Sequence, residues 1–429
     1  GTFTGQDGDA TPTVTFTSGG AQEISGNSGG NTGNFVFGNV DLKGSQVTNN
    51  GSNIQINGYL DSTDPGTDGN GNDLISLNSI GQTTSIFGDG TQEIRGAGNY
   101  IFDRLRFNES ATLKTTVSVK REVDSNSGTG TSPNATIESG AGLELAGNLV
   151  IEDGLTITGL GSVTFNGGSG QSLNVAQEKA SISTAITLEN AATVTTSTGQ
   201  TSPVLTTSDI EIKEGATLRG GSNAVNLDVD GNIRVTDGTF ALSTEDGSEV
   251  GSEEPSYSIS GNFTVEEDGD FDNNGRTVTF DGGTTQSITV KGGESRTIDF
   301  ADLVVEDDAA NNATNINLIN GSTSARVVVN EDLNLNSGDF TTNGLLTIGS
   351  QRLGGNGSKD GAIIGSGNLV SSAGDLAERF LSEGTDSNST AGNEPGDASV
   401  GEIGDDAGFR LISHPFDGTI TAGELVRTS

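Results

Sequence analysis

An oxygen-rich turn at residues 64–77, DPGTDGNGNDLISL, contains the clearest set of side chains that could bind a metal. Calcium takes several carboxylate, carbonyl and amide oxygens from a turn that glycine allows to bend sharply. This pattern predicts a calcium site made by Asp68, Asn70, Asn72 and Asp73. An ordinary acidic surface turn is the favoured interpretation, and the calcium site is the alternative.

The segment GNGND at 69–73 is similar to one calcium-binding nonapeptide of the repeats-in-toxin type. Sites of that type need several stacked copies, and we find a single copy. A second acidic set, Asp268, Asp270 and Asp272 in EEDGDFDNNG, offers alternate carboxylates. It lacks the glycine at the sixth loop position of an EF-hand. The acidic surface turn is therefore the favoured interpretation of the second set.

Residues for catalysis are sparse. The single histidine, His414, would have to serve any Ser-His-Asp triad, but adjacent Ser413 would point to the opposite face of a strand. Glycoside hydrolysis needs two facing carboxylates, and 58 acidic residues satisfy that by chance. The 20 basic residues are scattered, Trp is absent and Tyr numbers three, which disfavours acidic-polysaccharide chemistry and sugar stacking. The sequence predicts a protein that is not an enzyme.

Composition narrows the class of protein further. The formal net charge of −38 disfavours nucleic acid and anionic membranes as partners. It suits either a saline habitat or an ordinary secreted surface. No cysteine is available for disulfides, and no run approaches the roughly 18 apolar residues of a membrane span. Because the chain has no methionine, Gly1 is expected to be a processed or trimmed end.

Degenerate internal repeats organise the chain. One motif places Phe before a Gly-rich turn, then Gln and an aliphatic residue. Its copies carry Phe16 and Gln22, Phe87 and Gln92, Phe165 and Gln171, and Phe280 and Gln286. A second element follows three of them, as FGNVDL, FDRLRF and FADLVV, and a third begins with Gly-Asn at 147, 231 and 261. Short alternating strands separated by glycine turns, without a helical period, predict an all-β protein.

The motif phenylalanines are separated by 71, 78 and 115 residues. Tandem immunoglobulin-like β-sandwiches, the alternative fold, would give more even intervals. Uneven intervals favour a right-handed parallel β-helix or β-solenoid, because coils can be lengthened without breaking the stack. Coils averaging about 22 residues would give roughly 16 of them between residues 10 and 370.

The alternation of apolar and polar residues that marks the strands ends near residue 370. We expect a β-solenoid over 1–370, a linker or loop over 371–407, and the start of an incomplete C-terminal β module over 408–429. The module is predicted from the strand-like run GFRLISHPFDGTITAGEL.

The repeats resemble those of large surface proteins of Bacteroidota that are exported by the type IX secretion system. AERFL at 377–381 and GFRLISHP at 408–415 resemble the ERY…GWRLLSSP junction of that family, although Phe409 and His414 depart from it. The resemblance implies export across the outer membrane, display or release outside the cell, and a gene product that continues past Ser429.

Three functions remain open. The leading hypothesis is a non-catalytic structural protein of the cell surface or of an extracellular filament or sheath, which self-associates head to tail because terminal coils expose strand edges. An adhesin stalk that presents a distal binding module is the alternative. A carbohydrate-active β-helix enzyme is less favoured. The expected cofactor is at most Ca²⁺, and the expected partners are further copies of the chain and a surface polysaccharide.

Overall fold

Segments in which apolar and polar residues alternate form short strands that bury every second side chain. In the strand at Asn134–Ile137, Ala135 and Ile137 are fully buried while Asn134 and Thr136 lie at the surface. Successive side chains of a strand point to opposite faces, so one face can pack inward while the other contacts solvent. The same pattern recurs in Ser162–Phe165 and Thr277–Phe280.

The computed structural model describes residues 13–17, 21–25, 33–43, 46–50, 52–63, 75–86, 92–125, 132–168, 170–198, 203–221, 225–243, 254–292, 296–321, 325–348, 363–370 and 419–421. All regular structure in these ranges is β-strand. The chain divides into two compact units. Unit 1 comprises Gly1–Asp228 and Glu245–Pro255, and unit 2 comprises Val229–Thr244 and Ser256–Ser429.

Unit 1 holds the first 25 strands, and the last of them ends one residue beyond its boundary. They are β1 (Thr13–Phe16), β2 (Ala21–Ser25), β3 (Gly33–Phe37), β4 (Asn39–Lys43), β5 (Gln46–Asn50), β6 (Ser52–Ile56), β7 (Tyr59–Thr63), β8 (Ile75–Ile86), β9 (Gln92–Gly96), β10 (Asn99–Phe107), β11 (Ala111–Leu113), β12 (Val117–Ser125), β13 (Asn134–Ile137), β14 (Gly142–Leu145), β15 (Asn148–Ile151), β16 (Thr156–Gly159), β17 (Ser162–Phe165), β18 (Gln171–Val175), β19 (Lys179–Ile182), β20 (Ala185–Leu188), β21 (Thr193–Thr198), β22 (Val204–Thr207), β23 (Ile210–Ile212), β24 (Ala216–Gly220) and β25 (Asn226–Val229).

Unit 2 holds the remaining strands of the described residues. They are β26 (Ile233–Ala241), β27 (Tyr257–Ile259), β28 (Phe263–Asp272), β29 (Thr277–Phe280), β30 (Thr285–Val290), β31 (Thr297–Phe300), β32 (Asp302–Val305), β33 (Asn315–Asn320), β34 (Arg326–Val329), β35 (Leu333–Leu335), β36 (Asp339–Thr341), β37 (Leu346–Ile348), β38 (Ile363–Gly365), β39 (Asn368–Val370) and β40 (Thr419–Thr421).

Each unit is a parallel β-solenoid with up to three strands per coil. In unit 1, β16, β17 and β18 pair in parallel with β19, β20 and β21 of the following coil. In unit 2, β29, β30 and β31 pair in the same way with β32, β33 and β34. We call these positions the first, second and third faces. Tandem sandwiches would pair strands antiparallel, so the solenoid prediction is confirmed and the alternative is wrong.

Coil length varies more than the sequence suggested. Arg106 lies opposite Asp124, 18 residues later, whereas Asp61 lies opposite Arg95, 34 residues later. In three coils of unit 1 a single long strand, β8, β10 or β12, covers both the second and third faces. The pairing of β10 with its neighbours shifts register between Phe102 and Arg104, where the chain turns the corner.

The core is a set of columns that run from coil to coil. On the second face of unit 1, Leu143, Val163, Ile186 and Ile210 lie above one another and are all buried. Each such side chain contributes about 1.5–3 kcal/mol when it leaves water.

Unit 2 adds an aromatic cluster. The Phe263 ring packs edge-on to Phe271 and Phe300, at centroid distances of 5.0 and 6.0 Å, and Phe300 also contacts Phe280. Edge-to-face packing suits the charge distribution of aromatic rings.

The predicted C-terminal β segment contributes one described strand. The backbone of β40 pairs antiparallel with the edge of β39, so that it extends the sheet of the second face beyond the last coil of unit 2. Residues 371–418, which include both halves of the junction motif, lie outside the described residues. The part of the chain that is described contains no helix that could span a membrane.

Candidate functional site

The predicted calcium residues Asp68, Asn70, Asn72 and Asp73 lie outside the described residues, as does His414. The calcium site therefore stays a prediction.

The second acidic set lies on β28, with Asp268, Asp270 and Asp272 all exposed. The Asp270 carboxylate accepts a hydrogen bond from the Phe271 amide at 3.0 Å, and Asp272 accepts one from the Asn274 amide at 3.2 Å. These two carboxylates therefore satisfy backbone donors at the end of the strand. Within the described ranges, no group of three or more His, Cys, Asp or Glu side chains is placed to hold a metal ion.

The glutamine of the repeat motif hydrogen-bonds the backbone where the coil turns a corner. In unit 1, the Gln171 amide nitrogen donates to the carbonyl oxygens of Leu145 and Gly147, both at 2.8 Å, and its amide oxygen accepts from the Gly167 N–H at 3.1 Å. Gln171 is buried. One side chain thus satisfies three backbone groups where two successive coils turn, and buried groups of this kind are costly to leave unpaired.

Gln286 repeats this arrangement in unit 2. Its nitrogen donates to the carbonyl oxygens of Ile259 and Gly261, and its oxygen accepts from the Gly282 N–H at 3.1 Å. A Cβ atom at Gly282 would lie 2.0 Å from the carbonyl oxygen of Ser260, and the equivalent Gly167 would approach the carbonyl of Ala146 as closely. The motif therefore needs glycine for a close backbone contact and glutamine for three hydrogen bonds.

The uneven motif intervals follow from where the four glutamines lie on the coil. Gln22 and Gln286 lie in β2 and β30 on the second face, Gln171 opens β18 on the third face, and Gln92 opens β9 on the first face. The motif therefore occurs at each of the three corners and does not mark one fixed point of the coil. Its intervals need not equal a whole number of coils.

The Gly-Asn motif supplies a second corner bond. The Asn148 side-chain oxygen accepts from the Ser172 backbone amide at 2.9 Å, and Asn262 accepts from the Ser287 amide at 2.8 Å. Similar bonds from the backbone amide of one coil to an Asn or Asp of the preceding coil occur at Tyr59 to Asn39, Thr83 to Asn53, Asn262 to Asn232, Asp332 to Asp302, and Asp339 to Asn315.

We call these contacts the corner Asn bonds. All seven run the same way along the chain, because the acceptor lies in the earlier coil and the donor in the following coil. The corner Asn bonds therefore share one polarity, with Asn and Asp acceptors towards the C-terminal side and backbone donors towards the N-terminal side. Corner bonds to other side chains, such as Gly154 to Gln177 and Thr314 to Ser337, run the other way.

Several basic side chains form ion pairs across neighbouring coils, in three groups that we call charge ladders. Arg106 makes two hydrogen bonds to the buried Asp124, at 2.9 and 2.7 Å, and Arg104 pairs with Glu122. The Asp124 carboxylate raises the pKa of the Arg106 guanidinium above its ordinary value. Nearby, burial followed by repulsion from Asp124 raises the pKa of Glu152.

A similar charge ladder lies on the first face of unit 1. Arg95 bonds Asp61 at 2.9 Å and Glu93 at 2.8 Å, and Lys114 contacts Glu93 from the next coil at 2.8 Å. Hydrogen bonds from Lys114 and then Arg95 lower the pKa of Glu93. The Arg95 guanidinium also lies 4.2 Å from the centre of the Tyr59 ring, a cation–π contact.

Unit 2 contains an equivalent group, in which Arg234 and Lys291 both contact Glu266, at 2.8 and 3.0 Å. Hydrogen bonds from Lys291 and then Arg234 lower the pKa of Glu266. In the three charge ladders each basic group faces acidic partners on its own or an adjacent coil. The arrangement joins coils and does not gather positive charge for an anionic substrate.

Sequence reasoning found the repeated Gln and Asn positions but not their partners. The partners of Gln171 lie 26 and 24 residues earlier, and the charge ladders join residues 18 to 34 apart. The signal that was available is the fixed spacing of Phe, Gly and Gln, which marks a corner. Comparison of the chain with protein-family models, curated proteins and solved structures gave no match.

Proposed function

We propose that this chain is a non-catalytic structural protein, exported to the cell surface or into an extracellular filament or sheath, where copies join end to end. The observation that carries the proposal is the uniform polarity of the corner Asn bonds. A last coil that presents acceptors and a first coil that presents backbone donors are complementary in one head-to-tail orientation. Head-to-head contact would bring like groups together.

The terminal strands support the same proposal. In unit 1, within the described residues, the strand paired with β1 is β4 of the following coil. In unit 2, the described pairing of β38 is with β35, whereas β39 carries β40 on its other edge. Unpaired parallel edges bind further strands readily. The proposed joint therefore pairs β38 of one copy with β1 of the next.

Charge sets the conditions for this assembly. The net charge of −38 makes copies repel, and salt shortens the range of that repulsion to about 10 Å at 0.1 M. Strand pairing and corner Asn bonds act over much shorter distances and are less affected. We expect assembly to increase with ionic strength.

Because the chain has no cysteine, disulfide crosslinking can report the joint cleanly. Thr15 in β1 and Ile364 in β38 both have exposed side chains on the first face. A Thr15→Cys/Ile364→Cys double variant, oxidised at high salt, should give a series of covalent oligomers on a non-reducing gel. Each single variant should give at most dimers, and these only slowly.

Electron microscopy of the unmodified protein at low and high salt gives the independent readout. End-to-end filaments are the expected result. Isolated particles in every salt condition, together with no series of covalent oligomers from the double variant, would contradict end-to-end assembly. Rapid dimerisation of the Thr15→Cys variant alone would indicate a head-to-head joint instead.

A further inference from the structure

A groove of about 320 Å³ lies on the flank of unit 1, across three successive coils. Its floor and sides include Thr116 from one coil, Gly142 and Glu144 from the next, and Leu160, Ser162 and Thr164 from the third. Ligand sites of this size are common in proteins, with volumes of about 300–1,000 Å³. The groove is open to solvent and is independent of the chain ends where assembly is proposed.

Gly142 creates the depression. It lies in register with Ser162 on the adjacent strand of the second face. A Cβ atom there would lie 3.4 Å from the Thr116 hydroxyl and 3.6 Å from the Ser162 hydroxyl. The missing side chain therefore leaves space between two hydroxyl groups in a row that would otherwise be continuous.

Leu160 forms the apolar wall. Its side chain is 85% exposed, the highest value among the exposed large hydrophobic residues of the described chain. Gly159 has φ of +116° and a Cβ atom there would lie 2.1 Å from the Ile137 carbonyl oxygen, while one at Gly161 would lie 2.3 Å from the Ile137 side chain. The two glycines fix a tight turn, so Leu160 is held outward at the rim of the groove.

The polar groups define the ligand chemistry. Three hydroxyls, from Thr116, Ser162 and Thr164, can both donate and accept hydrogen bonds. The Glu144 carboxylate is oriented by a 2.8 Å hydrogen bond from the Ser118 hydroxyl. The lining contains no basic side chain and one carboxylate, which disfavours phosphates, sulfates and uronic acids.

We propose that this groove binds an uncharged polysaccharide that lies along the solenoid axis. Hydroxyls and a carboxylate pair with sugar hydroxyls, and an exposed leucine covers the apolar face of a ring. Adjacent strands are about 4.8 Å apart, close to the length of one sugar residue in an extended glycan. Each of the three coils can therefore contact one residue of the polymer.

Affinity electrophoresis in gels that contain dextran, mannan or xyloglucan, with anionic alginate as the charge control, tests the proposal. At least one neutral glycan should retard the protein, and alginate should not. Gly142→Gln fills the groove from a position without positive φ, and Leu160→Ser removes the apolar wall. Both should weaken the retardation at least tenfold.

Val36→Ser is the matched control, because Val36 is also an apolar side chain of unit 1, 58% exposed and remote in sequence from the groove. It should bind like the wild type. Thermal melting checks that each variant is folded. Absence of retardation by every neutral glycan, preferential binding to alginate, or unchanged binding by folded Gly142→Gln would overturn the proposal. Filament formation is measured separately and does not depend on any of these results.

Discussion

The side-chain amide of Gln171 donates to the carbonyl oxygen of Leu145, 26 residues earlier, at 2.8 Å. The same side chain also reaches Gly147 and Gly167, so a single glutamine holds the corner of two coils together. The repeat motif is therefore a hydrogen-bonding requirement of the backbone.

Replacing Gln171 should destabilise the fold. Gln171→Leu keeps the volume but removes the partner that Gln171 provides to the Gly147 carbonyl oxygen and the Gly167 N–H. The Leu145 carbonyl oxygen keeps the Asn166 N–H at 2.9 Å. We expect a loss of about 3 kcal/mol in the free energy of unfolding, since each buried unsatisfied group costs about 1–3 kcal/mol. Urea unfolding measures it. The control is Gln55→Leu in the same unit, because Gln55 is half-buried and donates to the neighbouring Asn57 side chain at 2.9 Å. Equal effects of the two changes would show that the corner bonds do not stabilise the fold.

Because Arg106 and Asp124 form a largely buried ion pair, we expect the effects of replacing the two residues on the free energy of unfolding to be strongly coupled. Arg106→Met leaves the Asp124 carboxylate, which is 3% exposed, without its bidentate partner. We expect a loss of about 2–3 kcal/mol, less than for a fully buried pair, because the Arg106 side chain is 24% exposed and Arg104 stays 3.6 Å from the Asp124 carboxylate. Arg106→Met/Asp124→Leu should recover most of that loss, because it removes both charges. A double-mutant cycle by chemical unfolding measures the coupling, and additive effects would contradict it.

Glu152 should respond to pH in the opposite way to most acidic residues. Burial and Asp124 raise its folded-state pKa above the unfolded value, so its contribution is most favourable below the unfolded pKa and is lost as pH rises through the folded pKa. Glu152→Gln should therefore raise the melting temperature at neutral pH, and the difference should shrink in acid. The exposed Glu138, which pairs loosely with Lys114 at 3.8 Å, is the control. Glu138→Gln should give no increase.

The stability contribution of Glu93 should depend on pH in the way that is usual for acidic residues. Lys114 and Arg95 depress its folded-state pKa, so the stabilisation is present above the unfolded pKa and is lost as pH falls through the folded value. Glu93→Gln should cost about 0.5–1 kcal/mol at neutral pH and low salt, as expected for a partly exposed pair. The loss should diminish in acid and at high salt. A loss that is independent of both pH and salt would show that packing, not charge, is responsible.

The calcium prediction can be tested directly by isothermal titration calorimetry with CaCl₂. Binding that is lost in an Asp68→Asn/Asp73→Asn variant, and kept in an Asp268→Asn/Asp270→Asn variant, would support the turn at 64–77. Binding that survives the first variant would place calcium elsewhere on the acidic surface.

The sequence predicts the strands of this fold well and their partners poorly. TVTF at 277–280 forms β29 with Val278 and Phe280 buried, as alternation requires. Register was not accessible, because inward residues of many coils are chemically equivalent and any of them can stack on another. The offset from Asp61 to Arg95 is 34 residues, and the sequence offers no signal that selects it over a shorter one.

The candidate groove could not have been found from the sequence for a related reason. Thr116, Gly142 and Ser162 belong to three different coils, and nothing in their local sequence marks them as neighbours. Only the stacking of the coils brings a glycine between two hydroxyls. Leu160 between two glycines was visible, but an apolar residue in a turn is common on any protein surface.

The chain of corner Asn bonds in unit 2, from Ser287 to Asn262 and from Asn262 to Asn232, has a consequence for how such a protein can change in length. Each link joins a backbone N–H to an Asn side-chain oxygen, so removing or duplicating one whole turn of the chain restores a hydrogen bond of the same kind. Natural variants and engineered spacers of different sizes should therefore be obtainable by cutting at the Gly-Asn positions, with the corner bonds kept and the packing around Phe263 adjusted.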